Sequence, residues 1–271
     1  MINVSENLLK LRRECGMTQR ELAEKLGVSF QTVSKWERGI CYPDISVIPV
    51  LAEIFNTTTD IILGYSANEF CRTAYSERYK DDSYHWGILP NTFCYTVLEK
   101  YPPTRHLKLL EIACGEGRDA VFFSRNGYDV TAYDIVNEGI SKAKQLAAFC
   151  NTSVNAFTAD MLMFEPKEQY DVVYCSRSLQ YVPRGMREEF FERYKKRTNP
   201  EGIHAFMVMV DKPSVGIAPD EDINVTHFKS GEIFTYYHDW NFLVFEEKDI
   251  DCNSSGTPHR HCVNLMMAVK P

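Results

Sequence analysis

The run LKLLEIACGEGRD, Leu107 to Asp119, decides how this chain is read. Leu107, Leu109, Leu110, Ile112 and Ala113 make a short apolar stretch interrupted by the acidic Glu111, which reads as a buried strand. Gly115-Glu116-Gly117 comes next, and Ala120, Val121 and Phe122 open a helix. A strand, a Gly-x-Gly turn and a helix start bring bare backbone up to a ligand at a helix N-terminus. The pattern continues downstream. A second strand, Asp129 to Tyr133, ends in Asp134. An acidic side chain at that distance beyond the glycine turn can hold both hydroxyls of a ribose. A helix from Gly139 to Cys150 leads to a third strand near Val154–Phe157. The carboxylate of Ala159-Asp160-Met161 can then accept from an adenine amino group. Tyr170 to Cys175 and Gly202 to Val210 are a fourth and a fifth strand. Strands alternating with helices predict an α/β fold with a doubly wound, Rossmann-like, mostly parallel sheet. The last runs, Phe242–Phe245 and Cys262–Val269, lack a crossover helix and predict an antiparallel pair at the edge.

The segment from Met1 to Ser66 reads differently. Leu8, Leu11 and Cys15 recur at helical spacing up to Gly16. Thr18 and Glu21 have the capping-box spacing of a helix start, and that helix carries Leu22 and Leu26 and closes at Gly27. Ser29 caps a third helix through Arg38, with Val33 and Trp36 on its buried side. Two short helices joined by a tight turn form a helix-turn-helix. Phe30, Gln31, Thr32, Lys35 and Arg38 are left facing outward, with side chains able to touch base edges or phosphate. A further helix is expected from Ser46, with Pro49 in its first turn and a stripe of Val50, Leu51, Ile54 and Phe55. A last turn, Thr58 to Leu63, stops at Gly64. Residues 65–82 show no steady period and read as a connector with some helix. Tyr75, Tyr79, Tyr84 and Trp86 either lid a cofactor or pack onto the next domain, whose border is Pro102-Pro103. The expected domains are therefore 1–66, a linker and lead-in over 67–104, and 105–271.

A chain of 271 residues with 44% hydrophobic and 25% charged residues has ordinary globular composition. No apolar run reaches the length of a membrane span, and no secretory leader is evident, so a cytoplasmic protein is expected. The nine cysteines are scattered singly and read as reduced thiols, without a Cys-x-x-Cys pair; no metal site is expected. Net charge is −7, and the Met1–Ser66 segment carries seven Lys/Arg against eight Asp/Glu. Any DNA binding must therefore come from a local patch.

Residues 5–64 resemble the XRE/Cro-repressor DNA-binding domains through Met17-Thr18-Gln19, Leu22-Ala23, Leu26 to Ser29, Val33 to Gly39 and Pro43-Asp44. The resemblance implies an operator-binding homodimer, with Gln19 joining Phe30, Gln31, Thr32, Lys35 and Arg38 at the DNA. A protein-interaction module built from the same helices is the alternative. Residues 105–271 resemble class I S-adenosylmethionine-dependent methyltransferases: Glu111 to Gly117 match the first motif, Asp134 the second, Asp160 the third and Asp171 to Ser178 the fourth. That resemblance implies S-adenosylmethionine against Glu111, Ala113, Gly115, Gly117, Asp134, Ile135, Asp160, Met161, Cys175 and Trp86. Within the class, Trp86-Gly87, Pro90-Asn91, Asn126 to Val130 and His259-Arg260-His261 resemble the tellurite-resistance (TehB-like) methyltransferases. The missing third glycine argues against a dehydrogenase. Cys175-Ser176-Arg177-Ser178 has neither the Asn/Asp-Pro-Pro-aromatic nor the Pro-Cys motif of DNA methyltransferases.

Methyl transfer to an already ionised nucleophile needs no general base, only groups that seat the anion in a dry site. His259, Arg260, His261 and Arg177 are the candidates for a small, soft or anionic acceptor. Edge-strand decoration, and a structural role for Arg177, are the bland readings. Three functions stay open: a methyltransferase that also regulates transcription, a transcription factor whose methyltransferase fold senses S-adenosylmethionine, and an enzyme whose head serves dimerisation.

Overall fold

The computed structural model describes residues 4–55, 57–63, 75–215, 225–253 and 257–271. The chain divides into two compact units, Met1–Phe70 and Cys71–Pro271.

In the first unit the local signals set the element ends. Helix α1 spans Val4–Glu14, α2 Gln19–Leu26 and α3 Phe30–Glu37. The Thr18 hydroxyl accepts from Glu21 N while the Glu21 carboxylate accepts from Thr18 N, a complete capping box. Gly27, at φ 66°, stops α2 in the left-handed conformation that glycine tolerates. Ser29 accepts from Thr32 N to start α3. A 3-10 turn, Ile45–Val47, leads into α4, Ile48–Ile54, and α5 covers Thr59–Leu63. Two expectations shift here. The cap is Asp44, whose carboxylate accepts from Ser46 N, and the buried stripe of α4 starts at Ile48 and leaves Val50 out. Ile48, Leu51, Ala52 and Phe55 are buried, and Val50 stays 41% exposed. Gly64 and residues 65–74 of the expected connector lie outside the described residues.

The second unit is built on a seven-stranded sheet. A helical stretch over 75–79 and helix α6, Thr92–Lys100, precede it. Then come β1 Lys108–Ile112, α7 Arg118–Arg125, β2 Asp129–Asp134, α8 Asn137–Phe149, β3 Asn155–Thr158 and β4 Tyr170–Ser176. Helix α9 Arg187–Lys195, β5 Thr198–Val210, the short α10 Glu232–Thr235, β6 Asn241–Cys252 and β7 His259–Val269 complete it. Strand order is β3-β2-β1-β4-β5-β7-β6. Neighbours through β5 are parallel, and β7 runs antiparallel to both β5 and β6. The reversed strand thus lies one place in from the edge, and β6, outermost, runs with the rest.

Leu109, Val130, Val172 and Ile203 face one core with Phe93, Val97 and Phe123. Leu110, Ile112, Val173 and Phe206 face the other with Phe190, Phe191 and Tyr194. Near-continuous apolar strands are what a parallel sheet covered on both faces requires. The order reverses between β1 and β4, and ligands of such sheets bind beyond the carboxyl ends at that switch. Ala113, Asp134, Asp160 and Arg177 follow or end the strands on that edge, where Cys252 also ends β6 and His259 begins the reversed β7.

Candidate active site

The turn after β1 is a place where backbone replaces side chain. Ala113, Gly115 and Gly117 have φ of 54°, 55° and 83°. A Cβ on Gly117 would lie 2.4 Å from Ala143 Cβ and 2.8 Å from its Cα, so α7 and α8 can cross there only over glycine. A Cβ on Gly139 would stand 2.7 Å from Gly115 O. Gly139, in the first turn of α8, must therefore be glycine for the helix to pass the loop. Its place beyond the second strand hides it from a motif reading centred on the first turn.

Four carboxylates lie at this turn and at the neighbouring strand ends. Asp134 is buried, and its two oxygens accept from Gly115 N at 2.8 Å and Val136 N at 2.9 Å. Burial raises its pKa to about 6, against the pull of those backbone donors. Each oxygen keeps a further lone pair for an incoming hydroxyl. Glu111 is 3% exposed, and its Oε2 has no hydrogen-bond partner among the described residues. Burial, and then the charge of Asp119, push the Glu111 carboxyl well above the usual range. Asp119 is spent on structure, accepting from Asn91 N at 2.7 Å and Tyr174 Oη at 3.0 Å. Asp160 accepts from Leu162 N at 2.8 Å, which fixes the turn after β3 and leaves Met161 half-buried beside it. Ile135 is half-buried. The Cys175 thiol is fully buried in the second core, so only its backbone borders the strand end.

The lead-in segment covers the turn. Tyr79 is buried, with its hydroxyl 3.0 Å from where a Cβ on Gly115 would be. Trp86 Nε1 donates to that hydroxyl at 3.0 Å. Tyr75 packs against Tyr79, Trp86 and, across from β4, Tyr181. The segment is pinned by Trp86 N to Glu116 Oε2, by Arg118 Nη1 to Trp86 O, and by Lys142 Nζ to both Ser83 O and Glu116 Oε1. Tyr84 packs elsewhere, beside Val121 and Leu146, and donates to Lys142 O. The four aromatics thus divide: three over the glycine turn, one in ordinary packing. Glu116, whose carboxylate joins loop, lead-in and α8, carried no signal beyond its place between two glycines.

At the end of β4, Arg177 holds a left-handed φ of 58°, which costs a non-glycine residue on the order of 1 kcal/mol. Burial, and then neighbouring Arg118, lower the pKa of its guanidinium. Among the described residues its guanidinium has no carboxylate partner and no hydrogen bond. Gln180 lies close by, donating Nε2 to Arg177 O at 2.8 Å, while its buried Oε1 has no partner among the described residues. No motif pointed to Gln180.

Strand alternation divides the expected His259-Arg260-His261 trio. His259 and His261 share one face, their Nε2 atoms 2.9 Å apart. Arg260 points to the other face and donates to Asp249 Oδ2 at 3.0 Å. Arg260 therefore does not converge with the histidines on one acceptor.

In the first unit, Phe30, Gln31, Lys35 and Arg38 are exposed or partly so and Thr32 lies beside them at the start of α3. Arg38 donates to Ser34 O, and Thr32 shares a hydrogen bond with Ser29. Gln19 donates to Glu37 Oε2 at 2.8 Å, which ties the start of α2 to the end of α3. Arg12 grips the same carboxylate from behind, through Nε and Nη2.

The sequence profile of the family described as "Tellurite resistance protein TehB" matches residues 79–255, more than half of the chain. The chain belongs to the TehB family. A helix-turn-helix profile matches residues 8–62 in addition, and the N-terminal unit is a domain of that kind. Within the family, "Probable S-adenosyl-L-methionine-dependent methyltransferase TehB" of Haemophilus influenzae is 24% identical over 140 residues, 52% of this chain and 48% of that protein. The crystal structure of TehB from the same organism superposes with a TM-score of 0.58 at 21% identity, over 74% of this chain and 67% of that one, and shows a shared fold. "HTH-type transcriptional activator BcrR" of Enterococcus faecalis is 36% identical over 89 residues, 31% of this chain and 43% of that protein. This chain spans about half the length of the curated relatives it matches.

Proposed function

We propose that the TehB-family unit is an S-adenosylmethionine-dependent methyltransferase for a small, soft or anionic acceptor, and that the helix-turn-helix unit binds an operator as a homodimer. The observation that carries the enzyme reading is a pair of buried carboxylates flanking a side-chain-free turn. Asp134 has acceptor capacity for two hydroxyls, and Glu111 Oε2 is a buried acceptor suited to a cationic or hydrogen-bonding partner. That set fits the ribose at one end and the amino-acid end at the other.

S-adenosylmethionine, when bound, supplies a methyl group on a sulfonium for in-line displacement. The protein's part is positional. Gly115 and Gly117 let backbone approach, and Ala113 and Ile135 line the strand ends. Asp160 and Met161, on the turn after β3, are assigned to the adenine. Tyr79 and Trp86 exclude water, which strengthens every charge interaction inside. Arg177, without a carboxylate partner among the described residues, seats the acceptor anion beside the turn. Its planar fork grips an oxyanion at two points.

Calorimetry with S-adenosylhomocysteine and a turnover assay over selenite, tellurite and a thiol panel test this. Arg177→Ala is expected to cut turnover at least tenfold while cofactor affinity holds. Failure of wild type to bind S-adenosylhomocysteine would remove the methyltransferase reading. Undiminished turnover in Arg177→Ala would remove the acceptor assignment alone.

A further inference from the structure

The hairpin of β6 and β7 carries a side-chain cluster that the methyl-transfer reading does not use. Cys252 and His259 are direct cross-strand partners, and His261 lies two residues further along β7. Alternation therefore sets all three on one face. All three are half-buried, and one donor atom from each, the Cys252 Sγ and a ring nitrogen of each histidine, lies within 4.8 Å of the others. The outer nitrogen of His259, Nδ1, is 2.8 Å from Thr257 O. A carbonyl only accepts, so Nδ1 holds the proton and Nε2 turns its lone pair toward the cluster. An orienting bond of this kind on the outer nitrogen is what metal-bound imidazoles regularly have.

We propose that Cys252, His259 and His261 form a three-ligand site for a zinc-class divalent ion, with the fourth position taken by water or a soft anion. A tetrahedral ion with bonds of about 2.3 Å to sulfur and about 2.0–2.1 Å to nitrogen sets its donors about 3.3–3.6 Å apart. The histidine nitrogens, at 2.9 Å, need to part by only a few tenths of an ångström. One thiolate and two imidazoles select a borderline-soft ion over calcium or magnesium. The acidic residues of this end of β6 do not compete: Asp249 and Asp251 are paired with Arg260 on the opposite face. Binding replaces the Cys252 thiol proton, which leaves to solvent, and breaks the hydrogen bond between the two histidines. The spacing Cys-x6-His-x-His is set by strand register across a hairpin, which is why no helical or ribbon-type zinc pattern marks it in the sequence.

The test uses the full chain with Cys15→Ser and Cys41→Ser, which removes the exposed thiols elsewhere among the described residues, and with Cys71→Ser. Titration with Co²⁺ is expected to give one equivalent of binding, with thiolate-to-cobalt charge-transfer absorption and the visible bands of a tetrahedral ion. Zn²⁺ should displace it. Cys252→Ser should abolish the charge-transfer band, and His259→Ala or His261→Ala should weaken Zn²⁺ binding at least tenfold. Arg260→Ala, on the other face, should leave affinity unchanged. Absence of a one-equivalent site, a charge-transfer band that survives Cys252→Ser, or full Zn²⁺ affinity in both histidine variants would overturn the proposal. Because the readout is metal binding alone, it stands or falls separately from methyl transfer.

Discussion

Asp134 holds the glycine turn together, and in the proposed function it also binds the cofactor. Its oxygens hold the Gly115 and Val136 amides, so the carboxylate shapes the turn that the proposed function has it offer to a ribose. Burial raises its pKa to about 6. Protonation therefore favours the unliganded fold between the ordinary carboxylate pKa and about 6, whereas ribose hydroxyls need the ionised form. Affinity for S-adenosylhomocysteine should fall as pH drops through about 6, by up to about tenfold per pH unit. Asp134→Asn should bind more weakly at neutral pH and lose this step. Calorimetry from pH 7.5 to 5 checks it, and flat affinity in wild type would remove Asp134 from the ribose site. The place of Asp134 beside the glycine turn was legible in the sequence because an acidic residue ends the second strand at a set distance from Gly115. Gly139 and Gln180 were not, because their roles depend on which backbone or side chain the fold brings against them.

Elements were legible where local signals agree. The capping box at Thr18, the left-handed Gly27 and the Ser29 cap each set a helix end unaided. Val50 falls outside the core because the buried stripe is Ile48, Leu51, Ala52 and Phe55, spaced i, i+3, i+4 and i+7, and an apolar run on both sides of Pro49 does not by itself say which face is buried. Nor does composition reveal what locks the helix-turn-helix together. Arg12 of α1, Gln19 of α2 and Glu37 of α3 form one network far apart in sequence. Burial alone would raise the Glu37 carboxyl, but the bonds from Arg12 and Gln19 hold it below the ordinary range. Arg12→Met should strand that carboxylate and cost about 3 kcal/mol, while Arg12→Met with Glu37→Leu should recover most of the loss. Hydrogen exchange of the α3 amides measures both. Since the Glu37 pKa is depressed, the network's contribution is full above the ordinary glutamate pKa and is lost as pH falls through the native value. Equal protection in wild type and Arg12→Met would show that the pair adds nothing.

At the scale of the whole molecule the charge pattern constrains how a DNA-binding reading can work. Net charge is −7, and the Met1–Ser66 segment holds as many acids as bases to within one. A broad electrostatic field cannot supply the affinity, so recognition must come from the few side chains exposed on α3. Phe30, Gln31 and Lys35 offer an apolar contact for a thymine methyl, a bidentate partner for adenine and a donor for guanine or phosphate. A dimer of such domains reads half-sites about 34 Å apart on one face of the duplex. The full chain should therefore enrich a near-palindromic sequence from a random DNA pool. Few phosphate contacts imply a shallow dependence of affinity on salt. Gln31→Ala should relax base preference at one position of each half-site with little change in that slope, and Lys35→Ala should do so where it reaches a base. Repeating the selection with saturating S-adenosylhomocysteine separates a regulator that senses its cofactor from an enzyme with an independent head. A shift in operator affinity with ligand, reciprocated in ligand affinity with operator, is required if the two sites are coupled. Enrichment of no sequence under either condition would sink operator binding and leave the helix-turn-helix unit to a protein-docking role.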